Sequence, residues 1–348
     1  MNPVLFRLLA TLVPLQWGQE YARLDKSPAS WEFEVLTWAI RLRHSLRIKG
    51  ATAEPMESAS YKRLQQRYVA FSVPEMKFEE VAKENLPPIR LLWVSHPKDF
   101  DVLPHSVRGA LRHVKNPVIA IDVVSPSPEE SRHSLADEIP ANTPVSFLHD
   151  DDVVSERLRG DLDRALGTHG AWARQQLIKL LVTLSHKAEP TLVVDSDTIL
   201  LRDKVWVDSE DRQLLYFRGY SNPRYGHYLR SWGIGEIDEL RSFVTHHMLF
   251  QPKILESALV TTFGSAEPEV LVQAIISSAR ELGFPEFSLD YEYYGNILWA
   301  QGPGGYVKDK YSNVGLERPS NSSNLEQLTA DLRNEGLYNS VSFHLPNR

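Results

Sequence analysis

Asp195 and Asp197 stand one residue apart in the stretch EPTLVVDSDTILLRD, directly after the apolar run Leu192, Val193, Val194. Aspartate is a poor strand former, yet the residues before the pair read as a buried strand that the acids close. If the strand continues through them, both carboxylates point the same way. That geometry suits a hard divalent cation, which takes oxygen ligands and keeps substrate phosphates in its shell. Two other chemistries are open to the pair: a nucleophile beside an acid, or a turn whose carboxylates cap backbone amides.

The bulk composition limits the choice. The chain has 348 residues, enough for two or three domains or one large α/β domain with an appendage. Its net charge of -7 argues against nucleic acid as a partner, which needs a basic footprint. Cysteine is absent, so disulfides and thiolate chemistry are excluded and any metal must use oxygen or imidazole ligands. The opening MNPVLFRLLATLVPLQW is interrupted by Arg7 and Pro14 and is too short to span a bilayer. Leu5, Leu8, Leu9, Leu12 and Leu15 share a helical face, which docks on the protein itself or makes a peripheral membrane contact through residues 1–17. A cytoplasmic protein, at most peripheral at the inner membrane face, is expected.

Residues 1–86 read as a helical accessory segment without a chemical motif, and ENLPPI marks the boundary. Beyond it, strands alternate with helices. IRLLWVSH, PVIAIDVVSP and VSFLHDDD are strands; LPHSVRGALRHV is a helix; a long helical stretch from Ser155 to His186 breaks at Gly167 to Gly170. The pattern predicts an α/β fold over residues 87–348, a mostly parallel sheet flanked by helices, with ligands at the carboxyl ends of the strands. After residue 205 the rhythm loosens. There follow aromatics between Tyr216 and Trp232, then HHMLFQPKIL, LDYEYYGNILWA, the glycine-rich QGPGGYVKDKY, a helix in LEQLTADLRNEG and a last short strand, SVSFHL.

LVVDSDTILL, preceded by the helix WARQQLIKLLVTL, resembles the metal-binding strand end of nucleotide-sugar glycosyltransferases of the GT-A fold. HHMLFQPKIL and DYEYYGN resemble elements of a bacterial glycosyltransferase-like family in which an acid-Tyr-Glu-x-Tyr-Gly-Asn signature recurs. The resemblance covers about residues 88–348. It implies a GT-A-like domain that moves a sugar from a nucleotide-sugar donor to a glycan or lipid-linked glycan acceptor. It also implies that Asp197 ligates Mn2+ or Mg2+, that Asp195 binds the cation through water or holds the donor ribose or sugar, and that His344 adds a ligand. Lys179, Lys308 and Lys310 would bring positive charge to the diphosphate, and Gly302, Gly304 and Gly305 would let their loop close over the donor. Asp150 would touch the nucleotide, and Gln175 and Gln176 belong with Lys179 on the same helix. An inverting transfer, the reading favoured, needs a general base: Glu292 first, Asp290 second.

Plainer roles stand beside these. Glu292 is equally suited to the first turn of a helix, HDDD at 149–152 to a solvated loop, and the aromatics from Tyr216 to Trp232 to packing or to an acceptor sugar. His246 and His247 are expected to be structural, because neighbours on a strand point oppositely and cannot easily share one metal, though one of them is open to contact with the acceptor. Two rival functions remain: a non-catalytic nucleotide-sugar-binding scaffold, and a haloacid-dehalogenase-type phosphatase with Asp195 as nucleophile.

Overall fold

The computed structural model describes residues 85–217, 222–235, 241–301, 305–310, 312–319 and 322–344. The expected helices of residues 1–84, the membrane contact of residues 1–17, Gly302, Gly304, and the side chains of Lys308 and Lys310 lie outside the described residues.

The first half is built as the alternation predicts. Strand β1 (Ile89–Val94) leads through α1 (Leu103–His113) to β2 (Val118–Ser125), and α2 (Pro128–Ser134) leads to β3 (Val145–His149). Then come α3 (Asp150–Val153), α4 (Glu156–Leu166), α5 (Gly170–Ser185) and β4 (Thr191–Val194). The break between α4 and α5 falls where the glycines stand: Gly167 ends α4 at φ 59°, a backbone state that costs glycine nothing. Strands β1, β2, β3 and β4 pair in parallel, in the order β3-β2-β1-β4. The edge beyond β4 departs from that pattern.

After β5 (Thr198–Leu200) and β6 (Gln213–Phe217), α6 (Pro223–Ser231) leads to β7 (His247–Phe250), which pairs antiparallel to β4 and completes the five-stranded sheet. The fold is therefore α/β, with a mixed, mostly parallel sheet flanked by helices. The remaining helices are α7 (Pro252–Phe263), α8 (Pro268–Leu282), α9 (Tyr291–Gln301) and α10 (Ser322–Glu335). Strand β8 (Tyr306–Lys310) pairs with β6. Strand β10 (Ser340–His344) runs antiparallel to β5 and parallel to β9 (Asn313–Glu317), making a second, three-stranded sheet.

Both faces of the main sheet are buried, so its strands are apolar runs rather than alternating ones. Leu92, Val124 and Val193 pack with Leu177, Leu180 and Phe250 on one face, while Leu91, Trp93, Ile121 and Leu192 pack with Val107 and Ala110 on the other. A smaller core of Val102, Ile199, Leu325, Val341 and Phe343 lies under the second sheet. Among the described residues, no helix is long and apolar enough to cross a membrane.

Helix α9 approaches the segment before β7 so closely that a methyl group on Gly295 would overlap the ring of Phe243. Gly295→Ala should therefore destabilise the protein by about 1–3 kcal/mol, because overpacking outweighs the helix propensity gained, up to about 1 kcal/mol. A lower urea midpoint with an unchanged slope is the expected result; an equal or higher midpoint would refute the close packing.

Candidate functional site at the carboxyl end of strand four

The main strand does not continue through both acids. Strand β4 stops at Val194, and the Thr198 amide donates to the Asp195 carbonyl at 2.9 Å, closing a turn over residues 195–198. The expected shared side of one strand is thus replaced by a turn between two sheets. Three contacts fix it. The Asp195 amide donates to the His246 carbonyl at 2.8 Å, and the Phe343 amide donates to the Asp197 carbonyl at 2.8 Å. Between them, the buried Ser196 hydroxyl donates to Asp99 at 3.2 Å. Asp99 in turn receives Arg318 at 2.6 Å, and Arg318 also donates to the carbonyl of Phe343 at 3.2 Å.

Asp195 faces inward. Its Oδ1 accepts from Lys179 Nζ at 2.8 Å and from the Tyr291 hydroxyl at 2.8 Å, and its Oδ2 lies 3.2 Å from His246 Nδ1. Lys179 Nζ also donates to Asp290 Oδ2 at 3.0 Å and to the Tyr291 oxygen at 3.3 Å. Burial by itself would push the ammonium towards neutrality, but Asp195 and Asp290 hold its proton affinity above the usual lysine value. Burial likewise works against the Asp195 carboxylate, and Lys179 with His246 overcomes it, holding that carboxyl well below the ordinary range.

These contacts correct several expected roles. An ammonium has three donors, and all three of Lys179 are taken, so none remains for a diphosphate. Gln176 is buried: its oxygen accepts from the Leu289 amide at 2.7 Å and its nitrogen donates to the Phe287 carbonyl at 3.5 Å, pinning the segment before α9 instead of a cofactor. Gln175 donates to the Val94 carbonyl at 3.5 Å, at the end of β1. Glu292 is 1% exposed and accepts from the Ser242 hydroxyl beneath α9, out of reach of an acceptor sugar. Asp290 is also buried, its oxygens engaged by Lys179 and the Ser288 hydroxyl. Neither acid can serve as the general base in this geometry.

The other signature residues are packing residues too. The Tyr293 hydroxyl donates to Thr262, the Tyr294 hydroxyl to Gln213, and Gly295 admits Phe243. Helix α9 reads YEYYGNILWAQ, apolar almost all round, which is the sequence signal that an acid within it is buried.

Asp197 faces outward. Its Oδ2 lies 3.3 Å from His344 Nδ1, and its Oδ1 accepts from the Thr198 hydroxyl at 3.3 Å. The pairing of β10 with β5 brings His344 there, and the imidazole rests over Gly315 of β9, where a Cβ would stand 3.3 Å from Nε2. Asp197 and His344 side chains are 24% and 50% exposed, so both remain accessible. The hydrogen bond to Asp197 raises the proton affinity of His344 above its ordinary value.

The histidine pair divides, and His246 is the member at the site. Its ring faces Asp195 and lies 5.8 Å from that of His344, on a backbone at φ 60°, uncommon for a residue with a side chain. His247 points the other way, into the core between Trp206 and Tyr216, and burial pushes it down to about 3.

Asp197 and His344, with the 23% exposed His246 beside them, are therefore the accessible side chains at this turn that could hold a cation, while Asp195 has both oxygens engaged. A carboxylate with an imidazole fits Mn2+ better than Mg2+, which prefers oxygen alone. No three of Asp195, Asp197, His246 and His344 bring their ligand atoms within 4.8 Å of one another. Among the described residues only His149, Asp150 and Asp151, at the end of β3, do so. There His149 accepts from the Asp151 amide at 3.2 Å and caps α3, a structural role, and Asp150 Oδ1 sits 3.2 Å from the same ring. A cavity of about 260 Å³ between Pro87, Pro190, Asp211 and Lys253 lies at the opposite, amino end of β1 and β4, away from these groups.

Compared with known proteins, the chain matches no family description and no curated sequence.

Lys179→Met leaves two buried carboxylates without their cation and should cost about 3–5 kcal/mol in urea unfolding. Adding Asp195→Asn and Asp290→Asn should recover part of that loss; no recovery would show that the lysine acts through packing alone. For His344, whose folded proton affinity is raised, the stabilisation is fully present below the ordinary value of 6.5 and is lost as pH rises through the folded value. NMR titration should place His344 above 6.5 in the wild type and return it towards 6.5 in Asp197→Asn. Identical titrations would contradict the pairing.

Proposed function

We propose that this chain is a metal-dependent glycosyltransferase that moves a sugar from a nucleotide-sugar donor to a glycan or lipid-linked glycan. The observation that carries the reading is the Asp197–His344 pair, accessible at the carboxyl end of β4, where open α/β sheets bind ligands. Asp197 and His344 would hold Mn2+, and the cation would neutralise the diphosphate as it leaves. Asp195 acts one step behind, fixing the turn through Lys179 and orienting His246. The donor's other phosphate ligands would complete the shell that two protein side chains leave incomplete.

The aromatic stack of Trp172 on Tyr225, with centroids 6.2 Å apart, stands at the amino end of α5, on the same side of the sheet. Both rings are half-buried, and an acceptor sugar could lie on their remaining surface. The reaction is assigned to the cytoplasmic side, at the inner membrane face if the acceptor is lipid-linked.

The burial of Glu292 and Asp290 favours a second reading, a nucleotide-sugar-binding module without transfer, since neither acid can take the acceptor's proton. A phosphatase with Asp195 as nucleophile is disfavoured, because Lys179, Tyr291 and His246 occupy both of its oxygens.

Calorimetric titration of UDP-, GDP-, CMP- and dTDP-sugars, with and without Mn2+, tests the proposal. One donor should bind only with Mn2+. Asp197→Ala should abolish this binding, and His344→Ala should weaken it by about 10–100-fold, the range seen when a metal loses a supporting group. Donor binding that ignores both Mn2+ and Asp197 would overturn the metal assignment. A bound donor that is neither transferred nor hydrolysed would select the binding module.

A further inference from the structure

Away from Asp197, three arginines come together from distant parts of the chain. Arg112 sits in the last turn of α1, Arg202 follows β5, and Arg333 sits in the last turn of α10. The backbone holds these segments side by side. The Leu201 amide donates to the Asn339 carbonyl, the Lys204 amide to the His113 carbonyl, and the Lys115 amide to the Lys204 carbonyl, each at 2.9 Å. Arg202 Nη2 lies 3.0 Å from where a Cβ would stand on Gly336, directly after α10. Burial, then the charges of Arg112 and Arg202, depress the proton affinity of Arg333, so the guanidinium groups are near enough to repel.

Neutralising partners are missing from this cluster. Among the described residues, none of the three arginines makes an ion pair, and Arg202 Nη2 and Arg333 Nε are buried without an acceptor. Asp203 is engaged by Lys115 and His113, and Asp309 by Lys204. Asp331 and Glu335 lie two residues from Arg333 on α10, a spacing that does not bring side chains face to face.

A simpler account is that cations favour helix carboxyl ends, which covers Arg112 and Arg333 singly. It leaves out Arg202, which is on no helix, and the mutual repulsion. In a chain of net charge -7, three arginines without an ion pair, two of them with buried donors that lack an acceptor, are chemically matched to an anion.

We propose that Arg112, Arg202 and Arg333 form a binding site for a phosphate-type anion, either a free phosphate or diphosphate or the headgroup of an anionic lipid. The site lies at the amino end of the main sheet, because α1 runs back from the carboxyl end of β1. It is independent of the glycosyltransferase reading.

The test uses the full chain in EDTA, so that no divalent cation is available to the Asp197 site. Inorganic phosphate is exchanged for chloride at constant ionic strength, and Tm is recorded for the wild type, Asp197→Ala and Arg202→Gln/Arg333→Gln. Wild type and Asp197→Ala should both gain about 2 °C at roughly ten times Kd. The arginine variant should show no gain, and its own Tm without phosphate should equal or exceed that of the wild type, because repulsion is relieved. In a second arm, vesicles of phosphatidylglycerol or of phosphatidylcholine are sedimented with each protein. Arginine-dependent binding to phosphatidylglycerol alone, without a phosphate response, would identify the lipid headgroup as the source. Equal phosphate responses in all three proteins would overturn the proposal. So would an arginine variant of lower Tm with neither phosphate nor vesicle binding in the wild type, which is the outcome expected of simple helix capping.

Discussion

The buried ammonium of Lys179 is the constraint on which the rest of the site depends. A charge taken out of water is tolerable only when paired and fully hydrogen-bonded. Lys179 meets that condition by drawing in Asp195 from the turn after β4 and Asp290 and Tyr291 from the start of α9. One helix, one turn and a second helix are thereby locked together. The arrangement costs desolvation that an apolar core would not incur, so its return is positional: the turn has one geometry.

That geometry divides the labour among three consecutive residues. Asp195 is held inward, Ser196 is anchored to Asp99 and through it to Arg318, and Asp197 is left facing out towards His344. Arg318 also donates to the Phe343 carbonyl, so it ties the loop after β1 to the strand that carries His344. Two sheets therefore meet at the acids: the main sheet fixes the turn from the Asp195 side, and the pairing of β5 with β10 in the second sheet brings an imidazole to Asp197. Sequence reading missed Arg318 entirely, since an arginine after a short strand carries no sign that it is buried.

Legibility followed the range of the interaction concerned. Strand β4 and strand β10 could be read because an apolar run bounded by turn residues is a local pattern, and so could the helix break at Gly167. The pairing of those strands with others is not local. The antiparallel edge β7 and the turn at Asp195 come from partners far along the chain, which no window of residues contains. Lys179 shows the same limit. Helical spacing assigns it a face, but whether its charge meets a ligand or a carboxylate depends on Asp290, more than a hundred residues later. His246 and His247 show the limit again: His246 stands before β7 at φ 60°, so the two rings part at a backbone turn and not by strand alternation, one reaching the core and the other Asp195.

The acid-rich signature of α9 illustrates why residue type alone is a poor guide to chemistry. Asp290 and Glu292 look like a general base with a reserve, yet both are spent on holding helix α9 against its neighbours. Loss of Asp290 would leave Lys179 with one carboxylate partner, and loss of Glu292 would remove the acceptor of the Ser242 hydroxyl, so either change would disturb the turn or α9 without touching a substrate. Activity alone therefore cannot separate a group that touches substrate from one that fixes its neighbour. Accessibility can: a base must meet the hydroxyl it deprotonates, and a carboxylate closed beneath a helix does not. By that criterion the chemistry open to this site rests with Asp197, His344 and His246, and the acids of α9 belong to the scaffold that holds them in place.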